Sequence, residues 1–169
     1  MSEYSDTKFP DADADLMLEV TQRRLSAQQD SIDSLDVKSE VALAVGSGLI
    51  VILAAVIPIS GRPLGAVSTP FLLGSVVAYL ALAGTALWTL RPRKWGVGVE
   101  PNQVLKMYRD KTITPRERVW IVAEGYARTF TDNREPFERK LEWVRVGIAL
   151  LVLETICLQI ALFALSYRA

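Results

Sequence analysis

Three apolar runs dominate the chain, at residues 41–59, 71–90 and 144–165. Each is close to the ~20 apolar residues an α-helix needs to cross a bilayer. The first two contain no Asp, Glu, Lys or Arg, whereas a helix burying one stripe in a soluble core shows a polar residue every third or fourth place. Only the turn 60–70, with Gly61, Arg62, Pro63 and Gly65, separates them. They read as a transmembrane hairpin, and the third run adds another span. The pattern predicts an all-α integral membrane protein with three transmembrane helices and a cytoplasmic helical bundle.

Outside the runs the periodicity changes. From Leu16 to Lys38 there is no Gly or Pro. Leu18, Leu25 and Ile32 fall seven apart, Leu35 follows, and Thr21, Gln28 and Ser39 occupy the intervening positions. This is a heptad-like stripe with a partly polar seam, suited to packing on another helix, a second copy or the chain's own cytoplasmic segment. No breaker interrupts Asp36-Val37-Lys38-Ser39-Glu40 before Val41, so this helix and the first span are expected to be one. The layout is a disordered acidic N-terminus at 1–15, an amphipathic helix continuing into the hairpin at 16–90, a basic cytoplasmic segment at 91–143 and the third span at 144–169. The acidic leader has no small-residue cleavage site, so the first apolar run is not expected to be a removable signal.

The 91–143 segment carries its own helix signals. Pro101 opens a short helix to about Arg109, with Val104, Leu105 and Tyr108 as its apolar side. Thr114, Pro115 and Glu117 form an N-cap, first-turn proline and capping box. Val119, Val122, Tyr126 and Phe130 continue as one stripe. A break or kink is predicted at 131–136, before Pro136. Phe137, Leu141 and Val144 then lead into the third span.

Charge sets the orientation. The net charge is zero, but residues 1–40 hold ten acids against Lys8, Arg23, Arg24 and Lys38, while residues 91–145 hold thirteen bases against eight acids. Basic residues collect on the cytoplasmic side. The chain is therefore expected as a multi-pass protein of the cell inner membrane with its N-terminus inside. The acidic first helix and the basic 91–143 segment share that side and are expected to dock, mostly through their apolar stripes. Asp36 and Glu40, four apart at the entrance of the first span with Lys38 between them, are expected to meet Arg91, Arg93 and Lys94. The same basic cluster suits a stop-transfer anchor or acidic lipid headgroups. Gly46 and Gly48, with Gly74, Ala78, Ala81 and Gly84, offer shallow faces for the hairpin to close on itself. Trp88, Trp95, Trp143 and Tyr167 sit at the interfacial ends of the spans.

Little chemistry is available. Histidine is absent and Cys157 is the only cysteine. Internal disulfides, thiolate–metal clusters and His-based acid/base catalysis are excluded on inventory. No catalytic residue, metal site, cofactor or binding of a nucleic-acid polymer is expected. Gly96-Val97-Gly98 is too short for a phosphate loop. Glu154 is the one ionisable group deep in a span, accompanied by Thr155, Cys157 and Gln159. It reads either as a proton- or cation-sensitive element in a pore or oligomer contact, or as a protonated carboxyl hydrogen-bonded to a neighbouring helix, with Gln159 as further interhelical glue.

The arrangement also resembles a known class. Leu25 and Ile32 on a long helix, Ser34-Leu35-Asp36-Val37-Lys38-Ser39 opening into a hairpin, and Asn133 seven before Lys140 ahead of a last span are similar to the transmembrane domain of Pycsar effectors. They are similar too to the related two-span SLATT modules of bacterial nucleotide-triggered defence. Asp36 and Lys38 match that group's Asp-x-Lys-Ala element, with Ser39 in place of Ala. The resemblance implies a membrane effector that forms homo-oligomers in the lipid bilayer and impairs it when infection raises a cyclic nucleotide. No nucleotide-sensing module is recognisable in these residues, so sensing of a cyclic nucleotide is expected to fall to the cytoplasmic helices or a cytoplasmic protein partner. A non-conducting anchor or scaffold for such a partner is the alternative.

Overall fold

A computed structural model describes residues 11–60, 68–92 and 95–166. Among the described residues every regular element is helical: α1 Asp11–Ser60, α2 Ser68–Leu90, α3 Pro101–Arg109, α4 Pro115–Asp132 and α5 Arg134–Ser166. Three of these helical stretches, Asp13–Ile57, Ser68–Leu90 and Pro115–Ser166, are long and apolar enough to cross a membrane. Of the expected turn 60–70, Ser60 ends α1 and residues 68–70 open α2; residues 61–67, like 1–10, Arg93, Lys94 and 167–169, lie outside the described residues.

As expected from the missing breaker, α1 continues through residues 36–41. It starts at Asp11, within the segment 1–15 that the sequence marks as an acidic N-terminus. Its buried positions run Thr21, Leu25, Gln28, Ile32, Leu35, Ser39, Ala42 and Gly46 in alternating steps of four and three. That is the 3.5-residue period of left-handed helix packing, kept from the polar half into the apolar half. Thr21 and Ser39 satisfy their hydroxyls on the carbonyls of Met17 and Leu35 one turn back, which lets polar side chains sit in the seam.

The chain forms two compact units, one from Met1–Ile32 with Arg93–Phe137, the other from Asp33–Pro92 with Glu138–Ala169. In the first, the start of α1 lies along α4: the Gln28 side-chain amide reaches the Phe130 carbonyl at 3.5 Å, and Met17, Val20, Thr21 and Arg24 face Ala127, Phe130 and Thr131. Val119, Val122, Tyr126 and Phe130 are half-buried around the fully buried Ala123. Contrary to the sequence reading, Leu105 and Tyr108 of α3 stay exposed. α3 has no buried side chain, and its half-buried positions are Val104 and Met107. Tyr108 instead lies under the Arg118 guanidinium, 5.1 Å from the ring centroid.

The capping box at α4 is formed: the Thr114 amide donates to Glu117 Oε2 at 2.8 Å and the Glu117 amide donates to the Thr114 hydroxyl. The Thr114 backbone and hydroxyl bonds hold the Glu117 carboxyl below its ordinary range. A carboxyl so held contributes stability above its unfolded pKa and loses it as pH falls through the lower folded value. Acidification below about pH 4 is therefore expected to lower the protection of the Thr114 and Glu117 amides against hydrogen exchange, relative to their intrinsic rates at the same pH. In Thr114→Ala the Glu117 amide is expected to exchange near its intrinsic rate at every pH.

The predicted break at 131–136 is a single residue. Asn133 stays in the αR region at φ −77°, ψ −12°, its amide bonding back to Thr129, and α5 begins at Arg134. Pro136 falls within the first turn of α5, where its missing N–H has no helical acceptor to lose.

The second unit packs three helices. Leu72 meets Leu53, Tyr79 meets Ser47 and Thr89 meets Ser39, so α2 runs antiparallel to α1. Trp143 against Trp88, Gly147 against Thr85 and Cys157 against Gly74 make α5 antiparallel to α2. Leu53, Leu72, Leu158 and Ala161 form its apolar centre.

Candidate functional site

Glu154 is fully buried in this three-helix unit. Helical spacing from Val144, Gly147, Leu158 and Ala161 places it on the inward face of α5. It projects towards α1 at Gly46, where an added Cβ would come 2.9 Å from Glu154 Oε2 and 2.7 Å from Leu82 Cδ2. The missing side chain of Gly46 thus makes room for the carboxyl. Among the described residues neither carboxylate oxygen has a hydrogen-bond partner, so the interhelical hydrogen bond of one of the two sequence readings is not formed there. The reason is visible in the neighbours. Tyr79, the polar α2 side chain beside Gly46, is taken up with the Ser47 hydroxyl at 3.1 Å, and Ser47 in turn donates to the Leu43 carbonyl. The hydroxyl of Ser75, one turn before Tyr79, is buried and equally without a partner.

The structure separates two residues that the sequence groups together. Gln159 is exposed on the opposite face of α5 and is not glue inside the unit. Thr155 bonds to the Leu151 carbonyl and Cys157 packs near Gly74. Glu154 is an internal group of this unit. The small residues divide as well: Gly46 and Ala78 are buried, Gly74 faces α5, and Gly48, Ala81 and Gly84 are exposed and take no part in closing the hairpin.

At the entrance of the unit, Asp36 pairs with Lys140 Nζ at 2.6 Å. α5 runs alongside α1 and brings the buried Lys140 level with Asp36, while the Arg91 guanidinium, expected beside Asp36, lies over Trp88 at 5.9 Å. Arg93 and Lys94 lie outside the described residues, and Lys38 and Glu40 are exposed. Thus the Asp36 of the entrance motif and the Lys140 of the later motif hold one another. A usable signal was present: Lys140 is the base on the inward stripe with Val144 and Gly147.

Asn133 has a separate role in the first unit. Its side chain accepts from the Gly96 amide at 3.1 Å and donates to the Gly96 carbonyl at 2.9 Å. Gly98, at φ +111°, lies against the Tyr126 ring, a conformation and a closeness that a side chain would oppose. Residues 96–99 therefore run as a strap along α4. Asn133→Ala would strand both backbone groups of Gly96, and a loss of about 1–3 kcal/mol is expected. Limited proteolysis should then cut at 95–99 first.

No protein-family model, curated protein or solved structure matches the chain. Among the described residues no group of His, Cys, Asp or Glu is arranged to hold a metal ion.

Proposed function

We propose that this chain is a membrane effector, which self-associates in the inner membrane and impairs its integrity. The observation that carries the reading is Glu154. A passive anchor needs only apolar spans, and a charged group at mid-bilayer costs roughly 2.5–3.5 kcal/mol on insertion scales. Here a carboxyl is enclosed by three helices with both oxygens unpartnered among the described residues, and with the equally unpartnered hydroxyl of Ser75 one turn from Tyr79. Such a group gains partners only when the helices move apart and admit water or an ion. Packing and permeability are thereby linked in one residue. The resemblance to Pycsar and SLATT membrane modules supplies the setting, a cyclic nucleotide raised by infection, with the trigger arriving through the cytoplasmic helices or a partner.

The anchor reading has one observation in its favour. Leu105, Tyr108, Trp120 and Ile121 are exposed apolar side chains in the first unit, a surface that a cytoplasmic protein could cover. Permeability separates the two. Induced expression of the full chain, with and without cyclic nucleotides, is expected to admit a membrane-impermeant dye. Glu154→Gln, matched in abundance, is expected to lower the leak at least several-fold. An intact membrane under every condition, with abundant inserted protein, would leave the anchor reading.

A further inference from the structure

In the apolar stretches 41–57, 71–90 and 146–165, Gln159 is the only exposed side chain bearing an amide or a charge among the described residues. The exposed faces of α1 and α2 are apolar, and lipid covers such faces as well as a helix would. An amide facing hydrocarbon is different, because lipid tails offer it neither donor nor acceptor. On the same face of α5, Ala149, Val152, Ile156, Gln159 and Phe163 are all exposed and follow one another at steps of three and four. This is a heptad seam on the outside of the unit, with one polar position in it.

The geometry points to a second copy of this chain as the occupant of that seam, α5 against α5. This rests on the membrane reading above. Copies inserted with the same orientation carry Gln159 at the same depth, so parallel α5 helices bring the two amides level. A carboxamide both donates and accepts, so each Gln159 satisfies the other without a third group. The pairing is self-complementary, as an interface between identical subunits requires. It also fixes register, because sliding one helix past the other strands both amides. Glu154, on the opposite face, stays inside each copy.

The test is disulfide cross-linking of the full chain in membranes, in a Cys157→Ala background. Val152→Cys, Ile156→Cys and Phe163→Cys report the seam. Ile52→Cys on α1 and Val77→Cys on α2 are controls of matched exposure, 53% and 64% against 53%, 47% and 65% for the seam positions. Cross-linked dimer is expected at the three seam positions and not at the controls. Adding Gln159→Leu should weaken association about 3- to 30-fold, and Gln159→Asn should retain most of it. The proposal is overturned by cross-linking at Ile52 or Val77 equal to that at Ile156. It is equally overturned by no cross-linking at the seam, by Gln159→Leu without effect, or by a seam cross-link to a different protein. The readout is independent of leakage: seam cross-links in an intact membrane would sink the effector reading alone, and leakage without them would sink this interface alone.

Discussion

Asp36→Leu is expected to destabilise the protein by about 2–4 kcal/mol, while the double variant Asp36→Leu with Lys140→Met recovers most of that loss. Lys140 is 4% exposed and its ammonium lies 2.6 Å from Asp36. Asp36→Leu takes from the buried Lys140 ammonium the carboxylate 2.6 Å away; breaking a buried pair typically costs about 3–5 kcal/mol, whereas replacing both members by apolar side chains is often neutral. Asp36 keeps about a third of its side chain in solvent, which lowers the expected cost below the fully buried case. The same asymmetry ranks the single variants. Lys140→Met leaves Asp36 able to reach water and should cost less than Asp36→Leu. Reversible unfolding in detergent micelles measures all three as a double-mutant cycle. Equal losses from both singles and an additive double variant would mean that the pair contributes nothing specific.

The second large effect is expected at Gly46. Gly46→Leu should open the three-helix unit, since even a Cβ there meets Leu82, 1% exposed, and the Glu154 carboxyl within 3 Å. Overpacking of this kind costs about 1–3 kcal/mol. Gly46→Ala makes the sharper comparison, because alanine is favoured over glycine in a helix by about 1 kcal/mol. At Gly48 and Gly84, where an added Cβ meets nothing within 4 Å, the alanine variants should be neutral or more stable. At Gly46 alanine should destabilise. Thermal unfolding of the three alanine variants gives the sign directly, and a stabilised Gly46→Ala would refute the close approach of α1 to Leu82 and Glu154.

Local rules carried much of the architecture. The capping box at Thr114 and Glu117 depends on side chains three residues apart, so it is legible without knowing what α4 packs on. Continuity of α1 through residues 36–41 is equally local, following from the absence of any breaker. The stripe at Leu25, Ile32 and Leu35 could be read as a helix-packing seam, and its polar members proved buried with it because their hydroxyls turn back onto their own helix. Where the reading failed, partners came from distant helices. Leu105 and Tyr108 have the right spacing for an apolar face, but which face of α3 meets α4 is not set by spacing. For Asp36 the sequence points to the basic cluster that leaves the second span on the same side, whereas Lys140, 104 residues further on, pairs with it.

By itself the sequence determined the helical class, the three apolar stretches and the places where helices start, because these follow from transfer free energy and from hydrogen bonds within a few residues. Only the tertiary structure decided which side of each helix faces inward. Glu154 and Gln159 differ by five positions on one helix, a rotation of more than a full turn that leaves them on opposite faces. Nothing local says which of the two is enclosed. Gly46 decides it: with no side chain there, α1 and Leu82 close over Glu154, and Gln159 is left on the outside.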